Sequence, residues 1–259
     1  MKYGLLGSNI SYSLSKKLHE NIAKLNGFKI NYEIIDIKEE SLKTYINYLY
    51  EGKYKGYNVT IPFKQKIIKY LDILSPEVKM IGSCNTIVVR DGLLYGYNTD
   101  YYGFKKTIEI NDIKPNTTYI LGTGGAARTA YSYLCENGFD CFIVSRINEE
   151  DKFFKKLIYY EDFYKINHVP ILINATPVGT TPNFGSPLKS VKQTFDLVFD
   201  LIYNPLTTEL MSRGKRSING VTMLIYQAIK AEEIWQDKRL KEDKKSINYL
   251  RSVLYEQIR

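Results

Sequence analysis

Apolar and polar residues alternate along the chain in short blocks, each suited to one strand or one amphipathic helix. Runs rich in β-branched and aromatic residues favour strands, whereas apolar residues spaced at i, i+3 and i+4 favour helices. The N-terminal blocks predict a strand, a helix, a strand and a helix at 2–7, 16–26, 31–37 and 39–50. Gly27 and Gly52 follow the two helices as stops. Alternating strands and helices predict an α/β fold.

The segment from Gly56 to Lys64 is predicted to be extended, with its side chains on two faces. Asn58, Thr60 and Pro62 fall on one face; Tyr57, Val59, Ile61 and Phe63 fall on the other. Such a segment, with one buried face, can direct an amide and a hydroxyl toward a polar ligand. Lys64 would project from its end, although solvent exposure is the ordinary role of an isolated lysine.

Hydroxyl and carboxylate side chains precede two predicted helices. Ser13 and Ser15 come before the helix at 16–26, where Ser15 suits an N-cap. Hydroxyls and free amides at a helix N-terminus also suit an anion. A hairpin turning at Asp91-Gly92 ends near Asp100, which suits the N-cap of a helix at 101–110. For Asp100, capping and a functional role both stay open.

The stretch from Thr117 to Arg146 predicts a strand, a glycine-rich turn, a helix and a second strand. The strand at 117–121 leads into Gly122-Thr-Gly124-Gly-Ala-Ala127, and a helix at 128–137 stops at Gly138 before a strand at 139–145. The turn has G-x-G-x-x-G/A spacing, in which small residues let a pyrophosphate approach backbone amides. The context favours dinucleotide binding over a purely structural turn.

The residues that end this second strand indicate which dinucleotide is bound. NAD sites place Asp or Glu there, about 20 residues past the glycines, to accept from the ribose hydroxyl. This chain has Ser145 and Arg146, which can bind a 2′-phosphate and so favour NADP. The alternative is that Arg146 is a solvated residue at a strand end. The acidic run at 149–151 weakens the positive field nearby.

Composition excludes several classes of protein. The 259 residues are 44% hydrophobic and 25% charged, which is ordinary for a globular protein. The net charge of +8 comes from scattered lysines, so nucleic-acid binding is not indicated. The three cysteines show neither a disulfide framework nor a C-x-x-C motif, and two histidines far apart in the sequence do not suggest a metal site. No apolar run is long enough to span a membrane, so we expect a cytoplasmic protein. Cys84 is expected to pack as a small apolar residue, and Trp235 to anchor the C-terminal helix.

Several stretches, in order along the chain, resemble motifs of the shikimate dehydrogenase family. The most specific is Asn58-Val-Thr-Ile-Pro-Phe-Lys64, which resembles N-V-T-x-P-x-K. The others are Ser83-Cys-Asn85-Thr86, Gly96-Tyr-Asn98-Thr-Asp100, Gly122-Thr-Gly-Gly-Ala-Ala-Arg128, Asn174-Ala-Thr-Pro-Val-Gly179, Asp200-Leu-Ile-Tyr203-Asn-Pro, and Asn219-Gly220 followed by Met223-Leu224 and Gln227. The resemblance covers nearly the whole chain.

The resemblance implies a fold, a reaction and a set of site residues. It implies two α/β domains: a substrate domain (1–101 plus the C-terminal helices at 220–259) and a Rossmann-type NADP domain (102–219). The reaction is the reversible, NADPH-dependent reduction of 3-dehydroshikimate to shikimate in chorismate and aromatic amino-acid biosynthesis, with Lys64 and Asp100 as the catalytic pair. The substrate residues are Ser13 and Ser15 for the carboxylate, and Asn58, Thr60, Lys64, Asn85, Asp100, Tyr203 and Gln227 for the ring. The cofactor residues are Gly122, Thr123, Gly124, Gly125, Ala126, Ser145, Arg146, Leu201 and Gly220.

The chain departs from the family pattern at two places. The family's G-x-P-I-x-H-S-x-S-P is here Gly7-Ser-Asn9-Ile-Ser-Tyr12-Ser-Leu-Ser-Lys16, so the carboxylate site should persist on a less rigid turn. The family's N-R-T is here Ser145-Arg146-Ile147, followed by acidic residues, and the helical region before Asn174 is short. These departures bear on how tightly NADP is bound and not on which dinucleotide is bound.

Alternatives remain within and outside this chemistry. The nearest is a quinate or quinate/shikimate dehydrogenase that uses NAD. A more distant one is a non-catalytic metabolite sensor on the same fold, against which the retained Lys64 and Asp100 argue, since a sensor needs no proton donor. The expected partners are a small-molecule substrate and no nucleic acid or membrane, in a monomer or homodimer.

Overall fold

The computed structural model describes residues 2–146, 151–189 and 193–258. The strands of the described residues are β1 (Lys2–Gly7), β2 (Asn31–Asp36), β3 (Gly56–Val59), β4 (Ile73–Leu74), β5 (Thr86–Arg90), β6 (Leu93–Tyr97), β7 (Thr117–Leu121), β8 (Asp140–Ser145), β9 (Leu157–Tyr159), β10 (His168–Asn174), β11 (Thr194–Asp200) and β12 (Gly214–Ile218). The helices are α1 (Ser15–Leu25), α2 (Leu42–Tyr50), α3 (Pro76–Ile81), α4 (Thr99–Ile110), α5 (Gly125–Glu136), α6 (Tyr160–Phe163), α7 (Val221–Gln236) and α8 (Lys244–Gln257).

The chain divides into two units. The first comprises the residues up to Gly103 together with Ile225–Gln257, and the second comprises Phe104–Leu224. The chain thus passes between the units inside α4 and again inside α7. In the part of the chain that the structure describes, no helix combines the length and the apolar character needed to cross a membrane.

The first unit contains a mixed six-stranded sheet in the order β2-β1-β3-β5-β6-β4. β1 runs parallel to β2 and β3, whereas β5 runs antiparallel to β3 and β6. The β5–β6 hairpin turns at Asp91 and Gly92, both with positive φ, as the predicted two-residue turn requires. Trp235 of α7 stacks on Tyr3 at 4.6 Å and donates from Nε1 to the Ile87 carbonyl at 2.9 Å, so its predicted anchoring role is confirmed.

The second unit contains a six-stranded sheet whose paired strands are all parallel, in the order β12-β11-β10-β7-β8-β9. Read from β9 to β12, this is the 3-2-1-4-5-6 order of a Rossmann sheet, with its topological switch point between β7 and β10. Both units are therefore α/β, and the predicted fold class is confirmed.

Three predicted helix starts are corrected. α5 begins at Gly125 and not at Arg128, because Gly124 is extended and the small residues after it continue into the helix. Ser15 is the first residue of α1 and not its N-cap. The N-cap position is held by Leu14, whose side chain makes no hydrogen bond, and the Ser15 amide donates instead to Ser13 Oγ. α4 begins at Thr99 and not at Tyr101, and it is capped by Asn98, whose Oδ1 accepts from the Tyr101 amide at 3.1 Å.

The extended segment after Gly56 is shorter than predicted. β3 ends at Val59, and the chain then turns, with the Phe63 amide donating to the Thr60 carbonyl at 2.9 Å. Strand alternation stops at this turn, so Ile61 is 55% exposed although the alternation predicts it on the buried face, while Phe63 is 1% exposed. The predicted floor therefore consists of β3 and one turn.

Candidate active site

Lys64 and Asp100 form an ion pair in the first unit. Lys64 follows the turn after β3, and Asp100 lies in the first turn of α4. Lys64 Nζ lies 2.5 Å from Asp100 Oδ2, with side chains 20% and 10% exposed. The Lys64 carbonyl accepts from the Cys84 amide at 2.8 Å, which fixes the backbone beside β5. An ammonium held this way is oriented by the carboxylate and has restricted access to water.

The second oxygen of Asp100 is held by Asn85. Asn85 Nδ2 donates to Asp100 Oδ1 at 2.9 Å and to Thr99 Oγ1 at 3.0 Å. Asn85 Oδ1 accepts from the Thr99 amide at 2.7 Å. A backbone N–H can only donate, so the atom of the Asn85 amide that faces the Thr99 N–H must be the oxygen. Asn85 therefore orients the Asp100 carboxylate, and Lys64 takes the other oxygen.

Asn58 lies on β3, between β1 and β5, with Thr86 as its register partner. Its Oδ1 accepts from the Tyr32 hydroxyl at 2.8 Å. Its Nδ2 donates to the Asn85 carbonyl at 3.2 Å and to Thr86 Oγ1 at 3.0 Å. Thr60 begins the following turn and is partly buried. The structure thus places Asn58, Asn85, Asp100 and Lys64 in one hydrogen-bonded network. Tyr32, Thr86 and Thr99 are members that sequence reasoning missed.

Ser13 and Ser15 lie together at the start of α1. Ser13 Oγ donates to Ser15 Oγ at 3.1 Å and accepts from the Ser15 amide at 3.3 Å. The preceding turn is held by Asp36, whose carboxylate accepts from the Asn9 and Ile10 amides at 2.8 and 3.1 Å. Asp36 was not predicted. In this chain, which lacks the family's prolines, a side chain from the end of β2 fastens the turn.

Two further predicted substrate residues are placed by different elements. Gln227 lies on α7 within the first unit and is partly buried. Tyr203 follows β11 in the second unit and is also partly buried.

The glycine turn of the second unit has the geometry of a pyrophosphate site. Gly122 adopts φ 102°, and its amide donates to the Val144 carbonyl at 3.1 Å, which ties the turn to β8. Gly124 caps α5, and a Cβ placed there would meet no atom within 4 Å. Open space before a helix N-terminus, at the switch point of a parallel sheet, suits a bound phosphate. The predicted residues Thr123, Gly125 and Ala126 belong to this same turn and to the start of α5.

Ser145 ends β8 and is buried, while Arg146 beside it is exposed. Residues 147–150, including the predicted acidic pair Glu149 and Glu150, lie outside the described residues. Asp151, the third acidic residue, pairs with Arg128 at 2.6 Å, and the Arg128 guanidinium lies 4.4 Å from the centre of the Phe153 ring. The Asp151 charge is therefore offset by Arg128. The described helix before Asn174, α6, is only four residues long, as the short spacing predicted.

Leu201 and Gly220 touch through their backbones. The Gly220 amide donates to the Ile202 carbonyl at 2.8 Å, and a Cβ on Gly220 would lie 2.0 Å from the Leu201 oxygen. Asp200, which precedes Leu201, belongs to one of the family motifs but was not predicted as a site residue. Its carboxylate accepts from Asn174 Nδ2 (3.0 Å), the Ile202 amide (3.1 Å) and the Thr208 hydroxyl (2.6 Å). Burial raises the pKa of Asp200, against the effect of these hydrogen bonds.

Cys84 is buried beside Lys64, and no metal-binding cluster is found among the described residues. Burial raises the pKa of Cys84 to about 12, so it stays a neutral thiol packed in the core, as expected. No group of three His, Cys, Asp or Glu side chains comes together in a way that could hold a metal ion in the part of the chain described.

The fold and site define a two-domain α/β protein in which a Rossmann-type dinucleotide-binding unit accompanies a second unit that holds a lysine–aspartate pair. Residues 5–87 match the family model described as the shikimate dehydrogenase substrate binding domain. Shikimate dehydrogenase (NADP(+)) of Clostridium beijerinckii is 40% identical over 252 residues, covering 92% of this chain and 93% of that protein.

Solved structures of shikimate dehydrogenases are similar to this chain over nearly its whole length. Shikimate dehydrogenase 1 of Peptoclostridium difficile has a TM-score of 0.90 at 37% identity, covering 99% of this chain and 97% of the other. Shikimate 5-dehydrogenase of Thermus thermophilus, solved in complex with NADP(H) and shikimate, has a TM-score of 0.85 at 26% identity, covering 99% of each chain. The chain belongs to the shikimate dehydrogenase family.

Proposed function

We propose that this protein catalyses the reversible reduction of 3-dehydroshikimate to shikimate with NADPH, a step of chorismate and aromatic amino-acid biosynthesis. The observation that carries the proposal is the 2.5 Å pair of Lys64 and Asp100, held by Asn85 in a chain of this family. The naming of the Clostridium relative as NADP-dependent supports the choice of cofactor.

Lys64 is the proposed proton donor. NADPH, when bound, supplies the hydride. As the substrate ketone becomes an alcohol, its oxygen gains negative charge, and an ammonium beside it both stabilises that charge and gives up a proton. Asp100 orients the ammonium, and Asn85 fixes Asp100. In the oxidative direction Lys64 must begin neutral, so oxidation of shikimate should rise toward alkaline pH.

The proposed substrate residues, apart from Tyr203, lie in the first unit. Ser13 and Ser15 would bind the substrate carboxylate, and their two hydroxyls lie 3.1 Å apart at the start of α1. The ring hydroxyls would be bound by Asn58, Thr60, Asn85, Asp100, Tyr203 and Gln227. The network around Asn58 and Asn85 supports this, because it presents polar groups in fixed orientations.

Cofactor binding is assigned to the second unit. Gly122–Ala126 would hold the pyrophosphate at the start of α5, with Leu201 and Gly220 as further contacts. Ser145 and Arg146 would hold the 2′-phosphate, because a hydroxyl and a guanidinium suit that group. The open space at Gly124 and the exposure of Arg146 support this assignment. We also propose a cytoplasmic location, and either a monomer or a homodimer.

The test is an absorbance assay at the reduced-nicotinamide band, with shikimate or quinate crossed against NADP⁺ or NAD⁺. Fast turnover with shikimate and NADP⁺ alone is expected. Turnover with quinate and NAD⁺ would retain the chemistry and overturn the specificity. If no combination turns over while shikimate still binds, the protein is a sensor and the proposed activity is wrong.

A further inference from the structure

Tyr32 lies in the core of the first unit, below Asn58. Its ring stacks on His19 with centroids 4.3 Å apart and planes at 12°. His19 Nδ1 is 2.7 Å from Glu232 Oε1, and both side chains are at most 1% exposed. The contact with Glu232 holds the His19 imidazole, and the Tyr32 ring packs against that imidazole. This packing determines where the Tyr32 hydroxyl lies.

The Tyr32 hydroxyl donates a hydrogen bond to Asn58 Oδ1 at 2.8 Å. The opposite end of the Asn58 amide faces the Asn85 carbonyl, which can only accept a hydrogen bond. The atom facing it must therefore be Nδ2, and the oxygen must face Tyr32. These contacts determine the orientation of the amide on both sides.

The contacts also determine what Asn58 can still do. Both Nδ2 hydrogens have partners, Asn85 and Thr86, and Tyr32 occupies one of the two lone pairs on Oδ1. One acceptor site remains. Asn58 can thus receive a hydrogen bond from a ligand hydroxyl but has no hydrogen left to donate. A ring hydroxyl, which can donate, is suited to it.

We propose that Tyr32 is a positioning residue for the substrate: through its hydroxyl it holds Asn58 as an oriented acceptor for a ring hydroxyl of shikimate. This inference rests on the proposed function. The bonds that join Lys64 and Asn85 to Asp100 do not pass through Tyr32, so they persist without its hydroxyl. The influence of Tyr32 should therefore be on substrate binding and not on the proton-transfer step.

The test compares Tyr32→Phe with Tyr57→Phe. Tyr57 is next to Asn58 in the chain and fully buried, yet its hydroxyl has no hydrogen-bond partner among the described residues, so its loss removes no such bond. We expect Tyr32→Phe to raise the Kd and KM for shikimate about tenfold, the effect of one buried hydrogen bond, while kcat and the alkaline rise of kcat stay within about twofold. Tyr57→Phe should change none of these.

A double-mutant cycle with Asn58→Ala identifies the path. If Tyr32 acts through Asn58, Tyr32→Phe should have no further effect on Kd once Asn58 is alanine. An equal loss in both backgrounds, an equal loss in Tyr57→Phe, or a fall in kcat at unchanged KM would each overturn the inference. These outcomes all require an active wild type; a wild type that turns over no shikimate overturns the proposed function, and this inference with it.

Discussion

The two units prepare their proposed ligands in opposite ways. In the first unit, hydrogen bonds and one ion pair link the side chains of Lys64, Asp100, Asn85 and Asn58. Asn58 also bonds to a backbone carbonyl, and the hydrogen bonds of each asparagine fix the orientation of its amide. In the second, the decisive positions of the glycine turn have no side chain at all. Gly122 adopts a left-handed φ, and Gly124 borders open space.

The difference follows from what each site must recognise. A ring carrying several hydroxyls is told apart by donors and acceptors in fixed directions, which only oriented side chains supply. A pyrophosphate is bound by backbone amides, and a Cβ would keep it away from them. The first site should therefore fail when a side chain is removed, and the second when one is added.

The largest effect is expected for Lys64→Ala. Loss of the proton-transfer group should lower kcat about 10²–10⁴-fold, with a smaller change in substrate affinity, and should remove the alkaline rise of shikimate oxidation. Steady-state rates between pH 7 and 10 measure both. Lys66→Ala is the control, since Lys66 is an exposed lysine paired with Glu39. A profile that is flat in both the wild type and Lys64→Ala contradicts the role.

Gly124→Ala tests whether the second site fails when a side chain is added. The added methyl meets no atom within 4 Å and φ is −73°, so folding should change by less than about 1 kcal/mol. NADP⁺ affinity should nevertheless fall at least about tenfold, because the methyl occupies the space proposed for the pyrophosphate. Titration of NADP⁺ and thermal unfolding measure the two effects.

Gly220→Ala is the matched comparison, because its methyl would lie 2.0 Å from the Leu201 oxygen. That variant should lose about 1–3 kcal/mol of unfolding free energy as the backbone shifts. If Gly124→Ala binds NADP⁺ as the wild type does, the turn is not the pyrophosphate site.

Arg146→Ala should weaken NADP⁺ binding about tenfold and leave NAD⁺ binding unchanged, since only NADP⁺ carries the 2′-phosphate. The ratio of the two dissociation constants is the measurement. Lys215→Ala removes an exposed positive charge paired with Asp196, elsewhere in the same unit, and controls for net charge. Equal weakening of both cofactors by Arg146→Ala would place Arg146 away from the 2′-phosphate.

The smallest effect is expected on the pH dependence of stability, through Asp200 and its hydrogen-bond network in the second unit. Because burial raises its pKa, the folded state binds the Asp200 proton more tightly than the unfolded chain does. This contribution to stability is present below the ordinary aspartate pKa of 3.8 and is lost as pH rises through the raised value.

The unfolding free energy of the wild type, minus that of Asp200→Asn, should therefore fall as pH rises, by at most about 1.4 kcal/mol per pH unit. Urea unfolding across acidic pH measures it. A difference that stays constant or grows with pH contradicts the assignment.

Sequence reasoning found the fold because it is encoded locally. The strand at 117–121, the glycine turn and the stop at Gly138 each depend on neighbouring residues, and all three are observed. The family motifs likewise pointed to Lys64 and Asp100 as a pair, and in the structure these two side chains form an ion pair.

What escaped prediction depends on residues distant in the chain. Tyr32 meets Asn58 only because β2 and β3 flank β1 in the sheet, and Asp36 reaches Asn9 for the same kind of reason. The sequence also left open whether Asp100 caps its helix or has a functional role, and in the structure Asn98 performs the capping. Capping patterns tolerate a shift of two residues when several polar side chains precede a helix.

The protein has a single tryptophan, and it lies in the first unit, stacked on Tyr3. The molecule therefore carries its own optical label for one of its two halves. Selectively excited tryptophan emission follows the loss of structure in that half, whereas far-ultraviolet circular dichroism follows the helices of both. Coincident denaturation curves would mean that the halves melt together, and separated curves would give the order in which they melt.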